Sequence, residues 1–313
     1  MSSTSTTRAP GLAVQGRLSP LQYIQKYGFR RWFFVRSRGD SPFKRILIHL
    51  ALIFASIIAL YPALRVFSVS LRPGDRVLST SLKIIPDGAS FAAYANVILE
   101  RDFILWLWNS VLITFSTAII GMIIASTAAY ALSRWHTPGK KPFLIFLFAT
   151  QMIPPAMLMI PIYILSVRLG LINTWRGLVI AYSVGAIPFS IWVLKGYYDT
   201  VPSELEQAAL IDGASRMGAF YRIILPLSAP ALAIAFLFNF MQAWNDFLLA
   251  RIMLQREEMF TWTLGLQSLQ GQFQTAWGEF SAAAIMVTIP VMILFLASSK
   301  FLISGLTLGS VKG

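Results

Sequence analysis

Between Glu206 and Pro226 the chain reads EQAALIDGASRMGAFYRIILP. The stretch is polar enough to face water, yet it lies between two strongly apolar runs. Ser203 followed three residues later by Glu206 fits a capping box, in which each side chain answers a free backbone N–H. Pro202 keeps the preceding chain from continuing as helix. Glu204 and Glu206 put negative charge in the first turn, where the helix dipole favours it. Gly213 is placed to end the helix in a left-handed conformation. This predicts a helix of about nine residues, roughly 13 Å long, with Ala208 and Ala209 leaving part of its surface flat. A second helix is expected from about Ser215 to Leu225, stopping before Pro226. A helix this short is marginal in water and must pack on something. Helix physics leaves two supports open: the ends of its own spans, or a docking partner.

The composition says what surrounds this loop. Of 313 residues, 56% are hydrophobic and only 12% are charged, about half the charge of a typical soluble domain. Apolar runs recur along most of the length, so the chain is a polytopic membrane protein of all-α class. Its net charge of +13 does not indicate nucleic acid, because the basic residues cluster at the N-terminus and in short loops between apolar runs. There is no cysteine, which excludes disulfides, thiolate metal sites and a Cys nucleophile. Only two histidines occur, His49 and His136, and no metal site is expected.

A spanning helix needs about 20 mostly apolar residues. Six stretches qualify: roughly 46–71, 105–132, 143–167, 177–195, 229–250 and 280–303. The third and fourth contain Pro154, Pro155, Pro161 and Pro188, and kinks are expected there. Lys and Arg set the orientation. The leader carries Arg30, Arg31, Arg36, Arg38, Lys44 and Arg45, and the turn SRWHTPGKKP carries Arg134, Lys140 and Lys141 without an acid. Both belong on the cytoplasmic side. Alternation then places 198–228 inside and 251–279 outside, with both termini cytoplasmic. The loop with Arg168 and Arg176 is basic although it falls outside. The chain divides into a leader, 1–45, and one membrane domain, 46–313, with a C-terminal tail at 304–313. In the leader, 1–16 is expected to be disordered, and LQYIQKYGFRRWFFVR reads as a surface anchor, with an amphipathic helix as the alternative.

Ala208, Ala209, Gly213, Ile223, Leu225 and Pro226 match the pattern Glu-Ala-Ala, three residues, Gly, nine residues, Ile-x-Leu-Pro. The stretch resembles the EAA loop of ABC-importer permeases. Gln207 stands where that pattern has Glu, with the acid of Glu206 beside it. AWNDFLLA (Ala243–Ala250) and the C-terminal IPVMILFLASSKFLISGLTLGSVKG are similar to sugar permeases of the maltose-transporter type, and the likeness runs from about Lys44 onward. The resemblance implies a type I ABC importer permease with six transmembrane helices in the cytoplasmic (inner) membrane of a prokaryote. It implies an ATPase-coupling role for Glu206, Gln207, Ala208, Ala209, Asp212, Gly213, Leu225 and Pro226. The implied partners are a dimer of ATP-binding subunits, a second, MalF-like permease, an extracytoplasmic sugar-binding protein, a sugar substrate and membrane lipids. It also implies that the tail reaches toward the ATPase dimer, and that Gln270, Gly271 and Gln272 in the outer loop meet the binding protein.

No phosphate-binding G-x-x-x-x-G-K-[ST] occurs, and the one Gly-Lys pair, Gly139-Lys140, lacks the spacing. ATP and Mg are therefore expected on the partner ATPase, with no cofactor and no catalytic residue in this chain. In the fifth span Asn239, Gln242 and Asp246 fall on one helical face with Asn245 beside them. They suit either sugar hydroxyls or interhelical hydrogen bonds. Asp246 can alternatively pair with Arg251 at the outer mouth. Trp106, Trp108 and Trp175 fit an interfacial belt. The competing readings are an ATP-independent secondary transporter or channel, thinly supported by Asp246 alone, and an intramembrane enzyme, for which no paired carboxylate or His cluster is present.

Overall fold

The computed structural model describes residues 28, 41–73, 83–136, 138–271 and 275–310, with 302–310 described by backbone alone. The readings for 1–16, for the anchor at 21–36 apart from Gly28, and for Gln272 lie outside the described residues, as do 311–313. The chain divides into two compact units, 1–65 and 66–313.

The first unit is described mainly through residues 42–65 of α1 (Pro42–Ser70), a helix that begins where Ser41 accepts from the backbone N–H groups of Lys44 and Arg45. It has 29 residues, ~44 Å at 1.5 Å per residue, longer than the ~30 Å hydrocarbon layer. Leu50, Phe54 and Ile57 lie exposed along it, as expected of a helix that meets lipid on most sides.

The second unit holds α2 (Ala92–Leu99), α3 (Phe103–Arg134), α4 (Lys140–Gln151), α5 (Pro155–Arg168), α6 (Trp175–Tyr198), α7 (Glu204–Ile211) and α8 (Arg216–Leu227). It continues with α9 (Ala229–Trp244), α10 (Leu248–Met253), α11 (Trp262–Ser268), α12 (Trp277–Met286) and α13 (Thr288–Ser310). The centre is α3 packed along α6, with α9 laid against both. The contact is close because α3 presents Ala118, Gly121, Ala125 and Ala129, all small, toward its neighbours. A Cβ on Gly121 would lie 3.6 Å from Ala186 Cβ and 3.2 Å from Asn239 Nδ2. In lipid, where the apolar surroundings give helices no hydrophobic reason to associate, small residues gain attraction by letting backbones approach. Several buried hydroxyls on these helices return to their own backbone: Ser110 to Trp106, Thr114 to Ser110, Ser183 to Val179, each onto the carbonyl four residues back.

Two cores mark the two ends of this bundle. One gathers Phe103, Trp106, Leu178, Tyr182, Trp244 and Met253; the other gathers Ala129, Tyr130, Leu194, Tyr198, Phe220 and Ile224. These are called here the tryptophan end and the tyrosine end. The N-terminal halves of both α3 and α6 belong to the tryptophan end and their C-terminal halves to the tyrosine end, so the two helices run parallel. A chain that leaves α3 at one end and enters α6 at the other must cross in between. The connection is α4 and α5, bent by 98° at Met152–Pro154. The sequence led to a kink here; the structure has a broken span. Two successive prolines lack N–H groups, and Pro154 is extended at ψ 130°, so the helix stops and restarts.

Among the described residues, four helices are long and apolar enough to cross a membrane unaided, and the number reaches six when each of the bent pairs α4–α5 and α8–α9 is one span. The fold is all-α and polytopic. The fifth span ends earlier than expected, at Trp244, and α10 follows as a separate helix after Asn245–Phe247. The last span runs on past the expected end at 303: 304–310 continue α13 as helix. Trp106 is buried against α11 and does not join an interfacial belt, whereas Trp108 is exposed.

Candidate functional site

The segment between α6 and α9 sits at the tyrosine end. Asp199 closes α6, its Oδ2 2.5 Å from Lys195 Nζ and its Oδ1 accepting from Ser133 Oγ at 2.6 Å. Burial opposes the charged form of Asp199. The hydrogen bonds from Lys195 and Ser133 and the charges of Lys195 and Lys140 outweigh it, and the pKa is lowered from 3.8.

The start of α7 differs from the capping box. Ser203 supplies its carbonyl to the N–H groups of Glu206 and Gln207, but its side chain makes no cap bond. Glu206 turns the other way, into the bundle. It accepts from Tyr130 Oη at 2.7 Å and forms an ion pair with Arg134, both on the last turns of α3. Arg134 also donates from Nη2 to the Val201 carbonyl at 3.0 Å. The carboxylate and guanidinium side chains are only 12% and 14% exposed. Of the residues assigned to partner contact, Glu206 is therefore the one that faces inward. Sequence reasoning missed Tyr130 and used Arg134 only to set orientation. They lie four apart, on one helical face, at the end of an apolar run, and that was the available signal.

The end of α7 is as expected. Gly213 has φ 84°. The N–H of Ala214 bonds to the Ala209 carbonyl at 2.9 Å and that of Gly213 to the Leu210 carbonyl at 3.1 Å, the pair of bonds that defines a Schellman ending. Ser215 then caps α8, accepting from the Gly218 N–H at 3.1 Å, and Arg216 lies over the Trp135 ring, 5.7 Å from its centroid. The second helix does not stop before Pro226. It widens into a π turn at Phe220–Ile224, with the Leu225 N–H reaching back five residues to Phe220, and runs on to Leu227. Pro226 is tolerated because the shifted bonding of the π turn is already in place where the ring removes a donor. Phe220 stacks on Tyr130 at 4.5 Å, and a 77° bend then leads into α9.

The outer face of this segment is exposed and carries large apolar side chains among charged ones such as Glu204, Asp212 and Arg222. Leu205, Met217 and Tyr221 are exposed, and Ile211 is 86% exposed. Gln207, Ala208, Asp212, Gly213 and Pro226 are exposed with them, and Ala209 and Leu225 are half-buried. One face is clamped to α3 and the other is left open.

The polar residues of the fifth span divide. Asn239 is buried and exchanges hydrogen bonds with Ser190 at 2.8 and 3.0 Å, an interhelical pair. Asp246 accepts from Tyr182 Oη at 2.9 Å and from the N–H groups of Leu249 and Ala250 at 3.1 Å, so it caps α10 and is not paired with Arg251. Gln242 and Asn245 are exposed. Gln151, which sequence reasoning did not single out, is also exposed and donates to the Gly185 carbonyl at 3.0 Å. At the tryptophan end Gln270 and Gly271 are exposed beside the bridge from Gln270 to Thr275.

Residues 118–307 match the family model described as binding-protein-dependent transport system inner membrane component. The chain is 33% identical to the maltose/maltodextrin transport system permease protein MalG of Photorhabdus laumondii subsp. laumondii, over 88% of this chain and 98% of that protein. It is 35% identical to the galactooligosaccharides transport system permease protein GanQ of Bacillus subtilis (strain 168), over 85% and 94%. Among solved structures, a chain of a bacterial ABC transporter involved in the import of the acidic polysaccharide alginate superposes with a TM-score of 0.73 at 26% identity, covering 85% of this chain and 98% of that one. A chain of the alginate transporter in complex with an alginate pentasaccharide-bound periplasmic protein gives 0.60 at 15% identity, over 82% and 93%. The chain belongs to the binding-protein-dependent transport system inner membrane components: it is a multi-pass membrane permease of the ABC sugar-importer family, with the type I importer fold.

Proposed function

We propose that this chain is the MalG-type permease of an importer for maltose, a maltodextrin or a related oligosaccharide, and that residues 199–228 are the loop through which separate ATP-binding subunits drive it. The observation that carries this is the two-sidedness of α7. Glu206 ties it to α3 while Leu205, Ala208 and Ile211 stay exposed. An exposed apolar patch on a short, rigidly ended helix marks a protein contact. The tyrosine end is then cytoplasmic, in keeping with Arg134, Lys140 and Lys141, and both termini lie on that side.

ATP and Mg act on a dimer of ATP-binding subunits, since no phosphate loop occurs in these 313 residues. A second, MalF-like permease completes the membrane part, and a sugar-loaded binding protein docks at the tryptophan end, where Gln270 and Gly271 are exposed. Closure of the ATPase dimer moves α7 and α8 as one piece, because the Schellman turn and the Ser215 cap leave no slack between them. The Glu206–Arg134 pair passes that movement to α3, and α8 passes it to α9 across the bend. The ATPases bias a two-state equilibrium of the membrane helices by binding its states unequally.

The test is isolation of the chain from its native host in mild detergent, with mass spectrometry of what accompanies it. An ATP-binding subunit and a second permease are expected, and both the ATP-binding subunit and ATP-driven uptake should be lost in Ala208→Trp. Recovery of the chain alone, or as a self-dimer, refutes the coupling role and favours an ATP-independent carrier.

A further inference from the structure

Two exposed amides, Gln151 and Gln242, lie within the third and fifth spans, and a third, Asn245, follows the fifth span directly. Gln151 ends α4, about 17 Å along that helix from Lys140. That places it near the middle of a ~30 Å hydrocarbon layer, at the break of the third span. Gln151 Nε2 donates to the Gly185 carbonyl at 3.0 Å. From α9, Gln242 reaches the same residue: a Cβ on Gly185 would stand 3.0 Å from Gln242 Nε2. The missing side chain at 185 therefore makes room for the Gln242 amide, while Gln151 from another helix reaches the carbonyl of the same residue. Asn245 lies one turn beyond Gln242, its Nδ2 on the Met241 carbonyl at 2.9 Å.

An amide exposed to hydrocarbon is costly, so polar groups at this depth face protein or a water-filled passage. The broken helix beside them fits the same reading, because irregular backbone at membrane depth is tolerated only where it meets protein or lines a cavity. Amides have both donors and acceptors, as sugar hydroxyls do. The one acid nearby in sequence, Asp246, is occupied by Tyr182 and the α10 cap, and no charged side chain is among the three. We propose that Gln151 and Gln242, grouped around Gly185 with Asn245 beside them, form a subsite on the transport path for a neutral oligosaccharide. The proposal deepens the importer reading and rests on it for the identity of the cargo as sugar.

The chain has no cysteine, so a single one can report on the site. Met152→Cys, at a residue 73% exposed next to Gln151, leaves all three amides intact. In the reconstituted complex it should react with a water-soluble, membrane-impermeant thiosulfonate. Maltotriose or galactotriose, whichever the complex takes up, should slow labelling about ten-fold at ten times its Kd. An alginate trisaccharide should not. In the same background, Gln151→Leu and Gln242→Leu should each raise the KM for uptake roughly five-fold, the worth of one hydrogen bond, with ATP hydrolysis per complex unchanged. A fold defect would instead lower hydrolysis and assembly together. Absence of labelling without sugar overturns the water-lined face, and labelling that a transported neutral sugar does not slow overturns the subsite. Equal protection by the acidic trisaccharide overturns its neutral selectivity. If neither neutral sugar is taken up, the sugar-importer reading fails, while water access at Met152→Cys is still read directly.

Discussion

At the tryptophan end, amides and hydroxyls hold backbone. Asn109 donates to the carbonyls of Glu258 and Phe260 at 2.9 and 3.0 Å, and Ser110 accepts the Trp262 N–H at 2.7 Å. Asn173 accepts the N–H groups of Gln255 and Arg256, and Trp262 donates to the Trp244 carbonyl at 2.9 Å. The chain from α9 to α11 is thus pinned residue by residue. At the tyrosine end the charged side chains pair with other side chains, Glu206 with Tyr130 and Arg134 and Asp199 with Lys195 and Ser133, and backbone is held only at points such as the Val201 and Leu227 carbonyls, by Arg134 and Tyr197. Backbone pinning fixes a path. Side-chain pairs fix a few points and leave the segment between them to move as a unit, with its apolar face free for a partner. The difference matches what the proposed function asks of each end: a stable outer frame, and an inner lever that transmits force.

The largest expected effect breaks the lever. Arg134→Ala leaves the Glu206 carboxylate buried without its cation, which costs roughly 3–5 kcal/mol for a buried pair. Hydrogen exchange over 204–228 should speed markedly while 254–262 stays protected, and ATP-driven uptake should be lost. Arg134→Met combined with Glu206→Leu removes both charges, so protection should largely return, since a matched apolar pair has no unpaired charge. Uniform loosening of both ends in Arg134→Ala would erase the contrast between them.

Gly265 tests the opposite end by space. A Cβ there would stand 2.0 Å from Trp106 Cε3 and 2.3 Å from its Cδ2. The indole is fixed under α11, so Gly265→Ala must push the two helices apart, at about 1–3 kcal/mol for overpacking. The thermal midpoint of the detergent-solubilised complex should fall, with exchange rising over 254–268 and not over 204–228.

Gly213 tests the tyrosine end by conformation alone. Nothing stands within 4 Å of a Cβ built there, but φ is +84°. Gly213→Ala should cost about 1–2 kcal/mol, less than Gly265→Ala, and should disturb the angle between α7 and α8 more than overall stability. Its signature is uptake falling further than the thermal midpoint does. Gly213→Asn should recover part of the loss, because Asn tolerates the left-handed region better.

These residues also mark how far the sequence could be read. Span number followed from apolar length, and the Gly213 ending followed from a residue type that has few other uses at such a position. The end of the fifth span was hidden because Leu248, Leu249 and Ala250 resume the apolar run after Asn245 and Asp246, so average hydropathy carries across the break. Pro154 and Pro155 signalled a disturbance but not its size, which depends on what α5 packs against. Glu206 was misread because a capping box is a pattern within three residues, whereas its actual partners lie 72 and 76 residues away on α3. Local spacing cannot rank a weak local bond against a buried ion pair made elsewhere. The Gln151–Gly185 contact escaped for the same reason, being formed only once α4 and α6 pack.

The smallest effect concerns the second fastening of the lever. The lowered pKa of Asp199 means that its charged form is favoured in the folded state. A depressed acid contributes stability that is present above its ordinary pKa of 3.8 and is lost as pH falls through the lower folded value. Asp199 is 43% exposed, so solvent screens the pair with Lys195 and the contribution is small. Asp199→Asn should therefore lower the thermal midpoint slightly at pH 6. The gap from the unsubstituted complex should close as pH is brought below 3.8, because protonation then does to the carboxylate what the substitution did. A gap that persists unchanged at low pH would mean that Ser133 holds the end of α6 through a neutral hydrogen bond, and that the charge on Lys195 adds nothing to the hinge.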